Sequence, residues 1–553
     1  MPYSRLQSAV HAGERIGRLE TDPDLGSDEN FTIASRWFQT CMMQHESPQC
    51  RHNGEEDLPT RLIDVEPFEP RIKMTRGTKG TYVALSHCWG GHSHFTAKTS
   101  NVDEIMAGMA MERLPANFRD AIIITRRLGF QYLWIDSLCI LQDSKTDWAL
   151  ESKDMGKIYQ NAAMTIAASV SPDSSRGLLT TFEPPDLELS PPFGIGREYD
   201  HTILGNLRLK RNHYSYGLPE VLRYGALSSR GWAFQERFFS KRILHYGGSQ
   251  IYWECQEDHY SADGEGATPM MNTQGSDVLR FQSQSFFNVY QLKSASKDDL
   301  YRSWYEVVSK YCKSRAFTFD SDKLPALSGI VSYFNDLISD RYVAGLWEAD
   351  LLMGLLWKPH GCHTPKSYRA PSWSWASLDG WIAFEGECHK RIVHKTDAEL
   401  VSVDAKLSGP NPFGEIICGY LEMRGVSISV LCDRAVYKDS HIHLGNCEPD
   451  GRFSSADAAI PKPGEAPGPR GDKLLFHNEK GLVLDGQPSN TYLLFIIATV
   501  VEIDHTGYTA SHALLLCSES VQRNTYRRVG IASWEIGSPI GSLPWISQRI
   551  TIV

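Results

Sequence analysis

The sequence predicts an α/β protein: a parallel sheet in the N-terminal half, a helical middle segment, and a C-terminal antiparallel β domain. Three observations predict it. Short apolar runs alternate with amphipathic helical stretches between residues 81 and 169, which is the order of a parallel sheet with crossover helices. From Phe281 to about Trp357 the apolar residues recur at helical spacing, and from Ala398 to Val553 they alternate as in strands with one buried face.

At 553 residues the chain exceeds what one core can organise, so two or three domains are expected. Hydrophobic content of 41% and charged content of 22% fit a globular chain. A net charge of −10 provides no dominant basic field for phosphates and argues against a nucleic-acid partner. The opening MPYSRLQSAVHAGERIG lacks the apolar core of a secretory signal. The longest apolar run, Tyr492 to Val501, is about half the ~20 residues of a spanning helix, so no membrane span is expected. Twelve irregularly spaced cysteines are read as reduced thiols of a cytoplasmic protein.

Residues 1–57 read as a polar arm followed by a helix over Ile33 to Met43. The helix leads into Cys41, His45, Cys50 and His52, soft or borderline ligands for a metal. Their spacing is irregular and contains no CxxC pair, so a helix end with ordinary side chains is preferred, no metal ligand is assigned, and zinc stays open. Residues 58–260 form the α/β domain, entered by Leu58 to Val65 as an edge strand and interrupted by an insertion at 170–228. The run Tyr82 to Ser86 stops at His87-Cys88-Trp89-Gly90-Gly91, as a buried strand does at the carboxyl edge of a parallel sheet. A helix follows between Pro115 and Gly129, then a strand from Tyr132 to Asp136. Next come a helix started by a Ser144–Asp147 capping box and a third strand from Ala163 to Ser169. Two further strands, Ile243 to Tyr246 and Gln250 to Glu254, follow a short helix from Gly231 to Arg237, and Ser261 to Ser276 reads as a linker. Residues 281–365 are the helical region. Residues 366–553 are the β-rich domain, in which Ala370 to Ser377 reads as a strand or a structural tryptophan pair, and 450–472, with its Pro461 to Pro469 run, as a disordered loop.

Within Ser229 to Cys255, Glu236 stands out: a carboxylate among apolar and basic side chains is usually paired or used. A salt bridge to Arg230, Arg237 or Arg242 would explain it as well as catalysis would. Ser86, His87 and Trp89 leave the first strand near it, and Asp136 ends the second, where it could orient a ligand or cap its loop. Trp89 offers either a stacking face or a lid over the sheet. Cys88 and Cys139 near His87 suggest a Cys/His nucleophile, but no third orienting group accompanies them. The chain has no GxGxxG after a strand, GxxxxGK[ST], HExxH or GxSxG.

Four peptides in order, YVALSHCWGG (Tyr82–Gly91), LPANFRDAIIITRRLGFQYLWIDSLCILQD (Leu114–Asp143), DMGKIYQNAAMTIAAS (Asp154–Ser169) and RGWAFQERFFSKRILHYG (Arg230–Gly247), together resemble the fungal heterokaryon-incompatibility (HET) domain. The resemblance covers about residues 58 to 255 and extends to the later APSWSW peptide. His87 departs from it, standing where the family peptide has an aromatic. HET domains are in turn distantly similar to TIR domains, whose fold is a flavodoxin-like parallel α/β sheet and some of which cleave NAD. The resemblance thus implies a TIR/flavodoxin-like sheet, nonself recognition and regulated cell death. It also implies NAD hydrolysis by Glu236, with Ser86, His87, Trp89, Asp136, Trp232 and Gln235 binding the substrate. NAD enters as a substrate and no resident cofactor is expected. Self-association through the HET domain follows from the same resemblance, and a protein partner is expected for the C-terminal half. Two alternatives stay open: a non-catalytic signalling module, and a HET scaffold recruited to a biosynthetic step on a small metabolite.

Overall fold

Ser27 starts the first long helix, its hydroxyl accepting from the Asn30 backbone N–H at 3.3 Å. In the computed structural model this helix, α1, spans Asp28–Gln44, with Asp28 and Glu29 in the first turn, where the helix dipole favours negative charge. It begins before the Ile33 that apolar spacing indicates, because the cap and not the periodicity sets the start. The structure describes residues 10–11, 14–15, 21–47, 50, 55–90, 95–182, 193–195, 203–205, 217–264, 292–313, 317, 319–384, 391–432, 436–438, 441–444, 452–453, 474–478, 490–502, 509–520, 524–535 and 545–553. They fall into two compact units, 1–288 and 289–553.

The first unit continues with β1 (Arg61–Asp64), β2 (Arg71–Met74), β3 (Tyr82–Ser86), α2 (Ala116–Arg127), β4 (Tyr132–Trp134), α3 (Lys145–Asn161) and β5 (Met164–Ala167). It closes with α4 (Gly231–Phe239), β6 (Arg242–Tyr246), β7 (Ile251–Cys255) and β8 (His259–Ser261). The eight strands form one sheet in the order β8-β7-β6-β5-β3-β4-β1-β2. Its centre, β6-β5-β3-β4, is parallel, and β3 and β5 are buried at every residue. The expected all-parallel sheet is therefore a mixed one: β1, β2, β7 and β8 pair antiparallel on its flanks. Short connections decide this. Tyr246 and Ile251 are joined by a turn carrying Gly248 at φ 84°, too short for the crossover that a parallel pair requires. The Leu58 to Val65 segment is also not at the edge: β1 lies between β4 and β2, and the four-residue β2 takes the edge.

The helix signals hold. Pro115 precedes α2 and Gly129 follows it at φ 81°; the Ser144 hydroxyl caps α3 by accepting from Asp147 N–H at 3.2 Å. α3 and α4 meet at Gly156, where a Cβ would stand 2.8 Å from the Phe239 ring. The described part of the insertion holds a two-stranded ribbon, Phe193–Ile195 with Ile203–Gly205, and a short helix, Leu218–Tyr224. Of the expected linker, residues 265–276 lie outside the described residues.

In the second unit α5 (Lys297–Cys312) and α6 (Ser328–Ile338) pack through Trp304 against Phe334, ring centroids 5.6 Å apart. The helical region ends before 365: β9 (Trp357–His363) pairs antiparallel with β10 (Asp379–Phe384). Ala370 to Ser377 forms no strand. The Ser374 hydroxyl accepts from Ala376 N–H at 3.0 Å and starts a 3-10 turn, and both indoles are fully buried, as a structural pair would be. Next come β11 (Arg391–Thr396), β12 (Ala398–Leu407), β13 (Ile416–Cys432), β14 (Asn490–Glu502), β15 (Thr509–Ser520), β16 (Thr525–Glu535) and β17 (Ile546–Ile552). Pairing runs β14-β13-β17-β16-β15 and back to β14, closing a barrel-like ring. The β16–β17 seam is parallel, so the domain is not wholly antiparallel. Within 450–472, Arg452 and Phe453 pair with Leu431 and Cys432; the rest, Pro461 to Pro469 included, lies outside the described residues. Among the described residues no helix is long and apolar enough to cross a membrane.

Ser144→Ala should destabilise the protein by about 1 kcal/mol in chemical denaturation, and Ser144→Asp, an equally good cap, should retain wild-type stability. Equal loss in both variants would show that the cap is not what Ser144 supplies.

Candidate functional site

Glu236 lies on α4 between Phe234 and Phe238, both core residues, and is 1% exposed. The Ser86 hydroxyl at the end of β3 donates to Glu236 Oε2. Tyr159, in the last turn of α3, neighbours the same carboxyl group and acts on its proton affinity, while its hydroxyl donates to the Leu85 carbonyl oxygen at 3.1 Å. Burial pushes Glu236 up to about 7, with Asp136 raising it further and Arg230, Ser86 and Tyr159 acting in the opposite direction.

The expected ion pairs with Arg237 and Arg242 do not form. Arg237 makes a two-pronged contact with Glu254, at 3.0 and 2.6 Å. Arg242 turns to Cys41 Sγ at 3.2 Å and to the Ala163 carbonyl at 2.9 Å. Arg230 is the cation whose charge acts on Glu236, and its guanidinium donates to the His87 carbonyl.

A second group adjoins the first through His87 and Trp89. The Trp89 indole N–H donates to Asp136 Oδ2 at 2.8 Å, and His87 Nδ1 stands 3.9 Å from Asp136 Oδ1. Asp136 also accepts from the Ser137 backbone N–H at 2.7 Å, at the start of the helical turn Asp136–Cys139 that follows β4. The His87 ring meets Phe118 of α2 edge-on at 5.2 Å, which is how an aromatic at this position would pack. Gly90, at φ 83°, brings the backbone against Asp173, whose Cβ would lie 2.4 Å from an added Cβ. No other residue fits there.

Of the residues expected at the site, Ser86 and Glu236 are in direct contact, and His87, Trp89 and Asp136 form the adjoining group. Gln235 is fully buried, and Trp232 is half-buried with its ring edge-on to Trp148 of α3 at 6.2 Å. Tyr159 was not expected; its periodic place on α3 marks it as core, and a buried phenol's need for a partner is the signal that points further. Nothing favours the Cys/His alternative: both thiols are buried, and burial raises Cys88 to about 11 and Cys139 to about 12. Elsewhere in this unit potential ligand atoms of Cys41, His45, Cys50 and Cys255 lie within 4.8 Å of one another.

Residues 82–236 match the family model described as heterokaryon incompatibility protein (HET). The match opens on the first residue of β3 and closes on Glu236, so it frames the site just described. No curated protein and no solved structure matches the chain.

Because Glu236 binds its proton more tightly folded than unfolded, the stability it contributes is complete below its unfolded value, 4.5, and is lost as pH rises through about 7. Glu236→Gln, which keeps the shape and cannot ionise, should match wild type in unfolding free energy near pH 5 and exceed it near pH 8.5 by an amount on the order of 2–3 kcal/mol. A pH-independent difference between the two proteins would contradict the assignment.

Proposed function

Because residues 82–236 carry a HET domain, we propose that this chain serves fungal nonself recognition and regulated cell death in the cytoplasm, and that Glu236 hydrolyses NAD at the nicotinamide–ribose bond. The observation that carries the proposal is the placement of Glu236 against Ser86, at the carboxyl end of a central parallel strand. The four parallel strands follow the spatial order second-first-third-fourth (β4-β3-β5-β6), the order of flavodoxin-like sheets, and this supports the TIR-like reading. In such sheets ligands bind beyond the carboxyl ends, where the strand order reverses. Here that point lies between β3 and β5, beside Ser86.

In the proposed reaction the bond between nicotinamide and the ribose carbon breaks, and nicotinamide leaves as a neutral molecule with the bonding electrons. The ionised Glu236 carboxylate stabilises the oxocarbenium character of the ribose. Water then adds to the same carbon and releases one proton, giving ADP-ribose. Trp89 would supply the stacking face and Asp136 a ribose hydroxyl acceptor, with Ser86 and His87 lining the floor and Trp232 and Gln235 the α4 side. At 1% exposure Glu236 is closed to a substrate in this conformation, so turnover requires an opening that self-association would supply. The second unit would recognise a protein partner.

The same burial favours a second reading, in which the Glu236 carboxyl is a structural tie between β3 and α4 and the domain signals without chemistry. Purified protein incubated with NAD at rising protein concentration, with products followed by mass, separates the two. Wild type should form nicotinamide and ADP-ribose with a rate that climbs faster than concentration, and Glu236→Gln should lose about 100-fold or more. Equal turnover in a folded Glu236→Gln protein would falsify the catalytic assignment. NAD left intact even by clustered wild type would establish the signalling reading.

A further inference from the structure

Four potential metal ligands from two distant stretches of the first unit converge apart from the Glu236 group. Cys41 lies in the last turn of α1, His45 is the residue that ends that helix, Cys50 follows shortly after, and Cys255 closes β7. The three Sγ atoms and one His45 ring nitrogen all lie within 4.8 Å of one another, and all four residues are buried. Ligands about 2.3 Å from a tetrahedral zinc ion are separated from one another by roughly 3.8 Å, so shifts of about an ångström close the cluster around the metal. The fourth member of the cluster is Cys255, about two hundred residues away in the chain; His52, the fourth candidate in the sequence, lies outside the described residues.

The surroundings have the features of a metal site. His45 Nδ1 stands 3.4 Å from Cys255 Sγ, while its Nε2 stands 3.1 Å from Asp258 Oδ2. A carboxylate beside Nε2 favours the proton on that nitrogen, which leaves the Nδ1 lone pair on the side of the cluster. Donors point at the sulfurs: Arg242 Nε at 3.2 Å from Cys41 Sγ, and Asp258 N–H at 3.4 Å from Cys255 Sγ. Thiolates accept such bonds well and thiols poorly. Arg242 is fully buried, so its charge requires a compensating negative charge nearby. Three thiolates, one dication and Arg242 sum to zero. Three neutral thiols would leave the buried guanidinium with no anion in this cluster. A disulfide would use two of the sulfurs and leave the third and the histidine unexplained.

We propose that Cys41, His45, Cys50 and Cys255 bind one structural zinc ion, which staples the end of α1 and the segment after it to the end of β7. Binding releases the three thiol protons to solvent and involves no redox change. Sulfur ligands select zinc over calcium or magnesium, and a closed, buried set of four protein ligands is a structural arrangement, not a catalytic one. All four residues lie outside the 82–236 match.

The test is metal analysis of the full-length protein purified without chelator, together with cobalt substitution. One zinc per chain is expected, released stoichiometrically when a mercurial titrates the thiols, and the cobalt form should show the visible bands of a tetrahedral sulfur-rich site. Cys255→Ser should lose the zinc, His52→Ala should keep it, and His45→Cys should keep it while shifting the cobalt bands as a nitrogen ligand becomes sulfur. Asp258→Asn should weaken zinc affinity 10- to 100-fold. If the cysteine variants fail to fold, the wild-type stoichiometry and the His45→Cys band shift still decide. The proposal is overturned by folded, metal-free wild type with all three thiols open to alkylation, by a mass two hydrogens low that maps to a disulfide among them, by iron in place of zinc, or by zinc loss in His52→Ala with retention in Cys255→Ser.

Discussion

The first unit is organised around a carboxyl group held out of water at the end of its central strand. Glu236 is reached by Ser86 from β3 and Tyr159 from α3, so the hydrogen bonds that satisfy it also fix how α3 and α4 sit over the sheet. A buried polar group left without partners costs about 1–3 kcal/mol and a buried charge more. The neighbourhood is therefore built to accept the neutral acid. The Gly156 contact with Phe239 serves the same end, since any larger residue at 156 would push α4 away from α3 and pull the carboxyl off its partners.

A second buried glutamate in the same unit shows how much the partners matter. Glu254 on β7 is as desolvated as Glu236, yet Arg237 with its two-pronged contact and His245 at 3.0 Å hold it well below the usual carboxylate range. It is a fixed anion, part of a chain that runs on to Ser169 at 3.0 Å from His245 Nδ1. Its charge does not change near neutral pH, and Glu236 is the acid whose charge does. The helix α4 carries both Glu236 and Arg237, so one short segment holds a titrating acid and the cation that keeps a neighbouring acid from titrating.

What the sequence made legible was local. The run Tyr82 to Ser86, the Pro115 and Gly129 punctuation and the Ser144 cap each encode their element within a few residues, and Glu236 was conspicuous because its neighbours are apolar. What it hid depends on approach in space. Tyr159 looks like any core residue until α3 brings its hydroxyl to the carboxyl group. Cys255 has no metal-like spacing to Cys41, because the hairpin that carries it returns beside α1 only in the fold. The flanking antiparallel strands were read into a parallel sheet because strand direction is set by connection length, which periodicity does not record. Trp373 and Trp375 misled in the other direction: their alternation with serine imitates a strand, but Ser374 bonds back to its own backbone and turns the chain.

The protonation state of Glu236 also bears on how a closed site could act. A neutral acid suits the dry, closed conformation, whereas stabilising a cationic ribose requires the ionised form. In the proposed reaction NAD would bring the positive charge of its nicotinamide ring beside Glu236 and lower the carboxyl's proton affinity, just as Arg230 already does from its side. Opening would act in the same sense by returning water to the group and removing the burial that holds it near 7. Substrate entry, opening and loss of the Glu236 proton would then be linked steps, each favouring the others. The closed protein, with its carboxyl protonated and bonded to Ser86 beside Tyr159, would be the resting state, and the contacts that stabilise the fold would hold the proposed chemistry in check.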